Sequence, residues 1–413
     1  MNVIFISPNY PEDRWRYIHA LRGLGVNVLG IGDAAEEAFP HGLKGCLTDY
    51  YRVDDLHDYD AVYRAVAYLT YQHGRADAIE SLNDYWSMLE ASLRRDFNVV
   101  GFDVNYAKRV FNRERVWDTL HSAHIALAQR DALGCLIVPE HARIIRCSGL
   151  ADRYGHIKGF CTYEFSDLPS RIRAHKEQLS FFSISPEQCN TASHNLKDIA
   201  LHTADVMKIR GGFFTFTFMV DEAQDSILLA DASFLPPEEY FADVMACSGS
   251  SDVCHMWAAD KVGINMDYHV TDETTVFATR RFDRSYRYSH DRIMSKLRPM
   301  LRRYGRCYTD MEMTGDYFYI FKAENPAKAR ELIRFIQVDY ADSTPIAEFP
   351  PLHAVDRTQL RQSAIREQSS YDARRLLSRK VEEKLRFGSC AVTAGAYEKG
   401  KQQANDIKKN EAN

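Results

Sequence analysis

The sequence predicts an α/β protein with a Rossmann-like parallel-sheet domain at its N-terminus, an α+β region after it, and a helical C-terminal tail. Three observations carry this. Over the first hundred residues, short apolar runs alternate with segments of helical spacing, as strand–crossover–strand units require. FFTFTFMVD (213–221) and DSILLADASF (225–234) then read as an antiparallel strand pair over a short acidic turn. After STPIAEFPP (343–351) the chain turns basic and its end is poor in apolar residues.

The elements follow in order. VIFIS (3–7) is a continuous apolar run of strand length, and RWRYIHALRGLG (14–25) carries helical spacing through Trp15, Ile18 and Leu21 to a glycine stop. VNVLGIGD (26–33) is a second strand. DYDAVYRAVAYLTYQHG (58–74) is a periodic helix with Gly74 at its C-terminal end, ADAIESLND (76–84) a third strand, and YWSMLEASLRRDF (85–97) another helix. The closely spaced glycines of GLGVNVLGIGD (23–33) run helix, glycine, strand. A dinucleotide fingerprint needs strand, glycine turn, helix, so a nicotinamide cofactor is rejected. In a parallel sheet, ligands sit beyond the carboxyl ends of the strands. Ser7, Asn9, Asp33, Glu80 and Asn83 fall there and form a candidate small-ligand cleft; each residue type also suits a plain turn.

A helical stretch, YAKRVFNRERVWDTLHSAHI (106–125), leads onward. CLIVPE (135–140), ARIIRCSG (142–149) and GFCTYEF (159–165) read as short strands, followed by a helix from DLPSRIRA (167–174). RCSGLADRYGHIKGF (146–160) is a glycine-bearing hairpin able to cover phosphates with backbone N–H groups, or an ordinary β-hairpin loop. LKDIALHTADVMKIRGG (196–212) is a helix. TVFATRRFDRSY (275–286) and DYFYIFKA (316–323) are strands flanking a helix over HDRIMSKLRPMLRRYG (290–305). ENPAKARELIRFIQ (324–337) is a last helix with Asn325 at its cap and Pro326 in its first turn. Residues 357–387 hold nine Arg/Lys against four Asp/Glu, with Leu377, Val381 and Leu385 on one stripe, so this segment reads as an amphipathic basic helix.

The chain of 413 residues, 45% hydrophobic and 26% charged, has the balance of a soluble globular protein of two or three packed subdomains. A net charge of −5 excludes nucleic acid as a global partner. No apolar run reaches the ~20 residues that span a bilayer, and the start lacks a basic n-region, so no transmembrane segment and a cytoplasmic location are expected. The nine scattered cysteines read as reduced and buried.

The order of motifs over residues 1–340 resembles the ATP-grasp superfamily, in particular its stand-alone carboxylate–amine ligase branch related to carbamoyl-phosphate synthase. GVNVLGIGD, YYRVDDLHDYD and IESLNDYWSMLEASLRRDFNVVG resemble its N-terminal domain, and HSAHIALA (121–128) its entry into the central domain. GGFFTFTFMVD, ILLADASFLPPEEYFADVM and CHMWA resemble its metal-bearing strands and helix, with RRFDRSYRYSHDRI and TGDYFYIF as its closing segment. The resemblance implies five parts: a Rossmann-like domain (1–103), a linking helical segment (104–128), a reduced central subdomain (129–198), a C-terminal ATP-grasp subdomain (199–342), and the basic tail (343–413).

Such ligases phosphorylate a carboxylate with Mg·ATP and let an amine attack the acyl-phosphate, which needs oxygen ligands for Mg²⁺ and cations for the phosphates. At the metal strand, where the family pattern is approximately E-x-N-x-R-P-P-G-G-Y, this chain carries Asp231 for Glu, Ser233 for Asn, Leu235 for Arg, and Glu238-Glu239 for Gly-Gly. On the preceding strand Thr217 stands where a second carboxylate belongs, and Arg146 where a phosphate-contacting lysine does. Asp231 is then the only candidate metal ligand, and the adenine hinge is expected to be missing. The resemblance therefore implies a degenerate member with no catalytic residues and no cofactor, its vestigial pocket made of Arg146, Lys158, Thr217, Asp231, Ser233 and Leu235. It would act by binding or scaffolding a protein partner, a genuine ATP-grasp ligase being one candidate, or a second copy of itself. The alternative is an active ligase using ATP and Mg²⁺, in which Asp231, Arg146, Lys158 and Asp221 or Glu222 replace the lost groups. A second alternative is a sensor of a small carboxylate, amino acid or peptide in the N-terminal cleft.

Overall fold

The computed structural model describes residues 1–249, 251–266, 268–307 and 314–339. The expected basic helix of the tail lies outside these residues. A four-stranded parallel sheet, in the order β3-β2-β1-β4, is formed by β1 (Asn2–Ile6), β2 (Asn27–Gly32), β3 (Asp49–Arg52) and β4 (Ala78–Glu80). Val3 and Phe5 of β1 face one core while Ile4 and Ile6 face another, which is why its sequence is apolar without a break. α1 (Trp15–Gly23) covers the first face; α2 (Tyr59–His73) and α3 (Ser87–Asp96) cover the second. Gly25, at φ 77°, follows α1 as its stop. Gly30 and Gly32 leave room for the Tyr50 ring of β3, which a Cβ on either would meet at 2.9 or 2.7 Å. Their use is packing, in keeping with rejection of a dinucleotide site. β3 had no strong sequence signal because its residues are only partly buried.

The linking stretch is two helices, α4 (Val104–Val110) and α5 (Arg113–Ser122), divided where the Asn112 side chain caps α5 through the Arg115 N–H. An eight-stranded antiparallel sheet follows, in the order β11-β12-β10-β7-β6-β5-β8-β9. Its strands are β5 (Arg143–Ala151), β6 (Ile157–Phe165), β7 (Ser180–Ile184), β8 (Gly212–Asp221), β9 (Ser226–Ser233), β10 (Thr274–Arg280), β11 (Leu301–Arg306) and β12 (Tyr317–Ala323). β8 and β9 pair as expected. β5, in the expected central subdomain, pairs along its whole length with β8, in the expected C-terminal subdomain, so the two share one sheet. The glycine-bearing hairpin is β5–β6, part of the same sheet. CLIVPE is not a strand; only an isolated bridge, Arg130 to Leu136, forms there.

Helices α6 (Pro169–His175), α7 (Leu196–Val206), α8 (Glu239–Ser248), α9 (Val253–Lys261), α10 (His290–Leu297) and α11 (Pro326–Gln337) complete the described chain. α10 is shorter than expected: Pro299 cannot continue it, and LRRYGR becomes edge strand β11. α11 has the expected Asn325 cap, its side chain accepting from the Lys328 N–H. One face of the large sheet packs on α8 and α9, the other on α7, α10 and α11. Alternation along β8 sends Phe214, Phe216, Phe218 and Val220 to the second face and leaves Thr215 and Thr217 on the first. That first core also takes in the parallel-sheet domain: Tyr17 of α1 meets Phe213 and Trp257 edge-on, at 5.8 and 5.6 Å. Of the cysteines described, Cys46, Cys147, Cys161, Cys189 and Cys254 are buried, Cys135 is exposed, and none is in a disulfide. No helix among the described residues is long and apolar enough to cross a membrane.

Candidate functional site

Pairing across β5, β8 and β9 sets two short rows of polar residues on the α8-facing side of the sheet. Arg146, Thr217 and Asp231 form one row, Ser148, Thr215 and Ser233 the next. Ala230 is an extra, unpaired residue in β9, and such a bulge re-aims the residue beside it, here Asp231. The structure thus brings together four of the residues singled out from sequence: Arg146, Thr217, Asp231 and Ser233.

Their availability differs sharply. Arg146 is buried, its guanidinium against the Phe165 and Phe241 rings at 5.1 and 5.3 Å. Its Nη1 pairs with Glu238 Oε2 at 3.2 Å. Burial acts to raise the Glu238 carboxyl, yet Arg146 and a backbone N–H outweigh it and hold the group below its ordinary value. Thr217 is buried between its neighbours. The Ser233 hydroxyl accepts from the Leu235 N–H at 3.4 Å, and Leu235 is only partly buried. Asp231 is exposed, with Arg113 of α5 at 3.9 Å. Magnesium on a triphosphate needs several oxygen ligands in near-octahedral array and free cations for the phosphates. One exposed carboxylate, a buried threonine and an arginine committed to an internal glutamate do not fit that group. Among the described residues no three His, Cys, Asp or Glu side chains gather to hold a metal ion.

The remaining residues singled out lie elsewhere. Lys158, at the far end of the β5–β6 hairpin, donates to Asn265 Oδ1 at 3.0 Å and approaches Asp152 at 3.6 Å. Asp221 is buried and accepts from the Ala223 and Gln224 N–H groups of the β8–β9 turn, while Glu222 pairs with Arg143 at 2.8 Å. Neither reaches Asp231.

At the carboxyl edge of the parallel sheet, the polar groups are largely spent within the fold. Glu80 Oε1 accepts from Lys261 Nζ at 2.6 Å and lies 3.0 Å from Arg94 Nη2, which is 2.6 Å from Glu90. Ser81 donates to Glu90 at 2.6 Å. Asn83 Oδ1 accepts from the Tyr85 N–H, and the Asp33 carbonyl from Arg52 Nε. Ser7 sits at φ 53° with its N–H bonded to the Ile31 carbonyl; Asn9 Oδ1 is buried without a hydrogen bond. Glu90 and Arg94 carried a sequence signal, their i,i+4 spacing on a helix. Lys261, 181 residues from Glu80, carried none. The same holds for Asp243, buried on α8 and paired with Arg16 of α1 at 2.9 Å and with Arg303 of β11 at 2.5 Å.

No family model matches the chain, and no curated protein matches its sequence. Solved structures do match. An L-amino acid ligase from Bacillus licheniformis has a TM-score of 0.55 at 10% identity, covering 81% of this chain and 96% of that one. An N5-carboxyaminoimidazole ribonucleotide synthetase in complex with ADP matches at 0.55 and 11% identity, over 81% and 95%. Phosphoribosylglycinamide synthetase from Anaerococcus prevotii matches at 0.51 and 8%, over 80% and 96%. The chain has the ATP-grasp fold. Within that ATP-grasp frame, Thr217 and Asp231 lie on the paired strands that the sequence resemblance assigned to the metal, and Arg146 on the adjacent strand it assigned to a phosphate-contacting lysine.

Proposed function

We propose that this ATP-grasp chain is a pseudoenzyme: it keeps the ligase frame, does not hold Mg·ATP, and acts by binding a protein partner or a second copy of itself. The ion pair between Arg146 and Glu238 carries the reading. The one strongly placed cation of the polar row is neutralised by a glutamate standing where the resemblance expects glycine, so a phosphate would have to displace an internal carboxylate. Thr217 beside it supplies no charge. Losing a single charge-stabilising group commonly costs about 10²–10³ in rate, and several are altered at once. The groups an active ligase would recruit instead, Asp221 and Glu222, serve the β8–β9 turn and Arg143.

The test is calorimetric titration of the full chain with ATP at saturating Mg²⁺. No saturable heat is expected. Magnesium-dependent binding that is lost on Asp231→Asn would overturn the reading in favour of an ATP-dependent ligase.

A further inference from the structure

Beyond the polar row, a cleft of about 170 Å³ opens between the β5–β6 turn and the segment after α9. At ~10–15 Å³ for each water-sized occupant, it has room for about 11–17 ligand atoms. Its wall carries both signs of charge, from Asp152, Arg153, Lys158 and Asp260, and an apolar part from Met256, Ile264 and Met266. Two of these charges are already used. Asp152 accepts from the Tyr154 and His156 N–H groups and so builds the turn, and Lys158 donates to Asn265. The other two are not. The Asp260 carboxylate, half-buried at the end of α9, makes no hydrogen bond or ion pair among the described residues. Burial raises its pKa against the pull of Lys261, and Asp152 adds to the rise. The Arg153 guanidinium is exposed, lies 5.7 Å from the Tyr154 ring, and makes no side-chain hydrogen bond or ion pair among the described residues. It also lies over Gly263, where a Cβ would meet Nη2 at 3.1 Å. Two opposite charges in one cleft, close enough to influence each other but not paired, are satisfied together by a ligand that carries both.

We propose that this cleft binds a free α-amino acid with an apolar side chain: its ammonium on Asp260, its carboxylate on Arg153, and its side chain against Met256, Ile264 and Met266. The site is separate from the row of Arg146, Thr217 and Asp231, and it does not depend on whether nucleotide binds there. Calorimetric titration of the full chain with L-leucine tests it. Saturable binding is expected, weakened about tenfold or more for leucinamide, which lacks the carboxylate, and for 4-methylpentanoate, which lacks the ammonium. Asp260→Asn and Arg153→Ala should each weaken leucine binding by a similar factor with unfolding midpoints unchanged. No leucine binding at about 10 mM, or binding indifferent to both substitutions, overturns the proposal.

Discussion

The buried charges between α3 and α9 make stability depend on pH in a way that one substitution isolates. Glu90 is nearly fully buried beside Glu80, and its pKa is pushed up to about 7. Burial is the main cause; Glu80 adds to it, while Arg94, Ser81 and Lys261 oppose it. Unfolded, a glutamate titrates near its ordinary value of about 4.3. The native state therefore binds the proton more tightly, and stability present below that ordinary value is lost as pH rises towards 7. At ~1.4 kcal/mol per pH unit over the rise from about 4.3 to about 7, the full loss is about 4 kcal/mol. Glu90→Gln keeps the shape of the protonated side chain and cannot ionise. The protein and this variant should be close in stability at pH 4, and the variant should gain about 3 kcal/mol on the parent by pH 8. Urea unfolding of both proteins at the two pH values measures this, since titrations that do not interact with Glu90 cancel in the difference. A difference that stays the same within about 0.5 kcal/mol would refute the reasoning.

Three further outcomes are expected. Glu238→Ala leaves Arg146 buried without its nearest carboxylate, whereas Arg146→Met leaves a glutamate that can turn to water, so the first should lower the melting temperature more than the second. Asp243→Ala removes the buried carboxylate shared by Arg16 and Arg303 and cuts a contact between α1, α8 and β11; a loss of about 3–5 kcal/mol in chemical unfolding is expected. Gly149→Ala places a Cβ 2.4 Å from the Phe214 ring and 2.5 Å from the Gly159 carbonyl in mid-sheet, and should cost about 1–3 kcal/mol or reduce soluble yield.

The fold was legible wherever periodicity and burial agree. β1 is apolar because both its faces are covered, and β8 alternates because one face meets Thr215 and Thr217 positions while the other packs phenylalanines. β3 and β11 escaped notice because each lies at a sheet edge with exposed side chains, so neither carries an alternating pattern. The single eight-stranded sheet was hidden for another reason: pairing of β5 with β8 joins segments some seventy residues apart, and no local signal reports it. Of the candidate site, the row of Arg146, Thr217 and Asp231 could be read through the resemblance. What could not be read was the commitment of each side chain. Glu238 marks a departure from the family pattern in sequence, but its bond to Arg146 is a product of β5 and the start of α8 meeting in space.

The contact of Tyr17 with Phe213 and Trp257 has a mechanical consequence. With Glu80 tied to Lys261 and Arg16 to Asp243, it couples the N-terminal sheet to the long one through both an oily seam and charged clasps. Prising the seam apart would wet two or three large rings, at about 2 kcal/mol each, and strand the ions beside them. A hinge between those sheets is thereby stiffened, and the surface they jointly offer to another molecule keeps one shape.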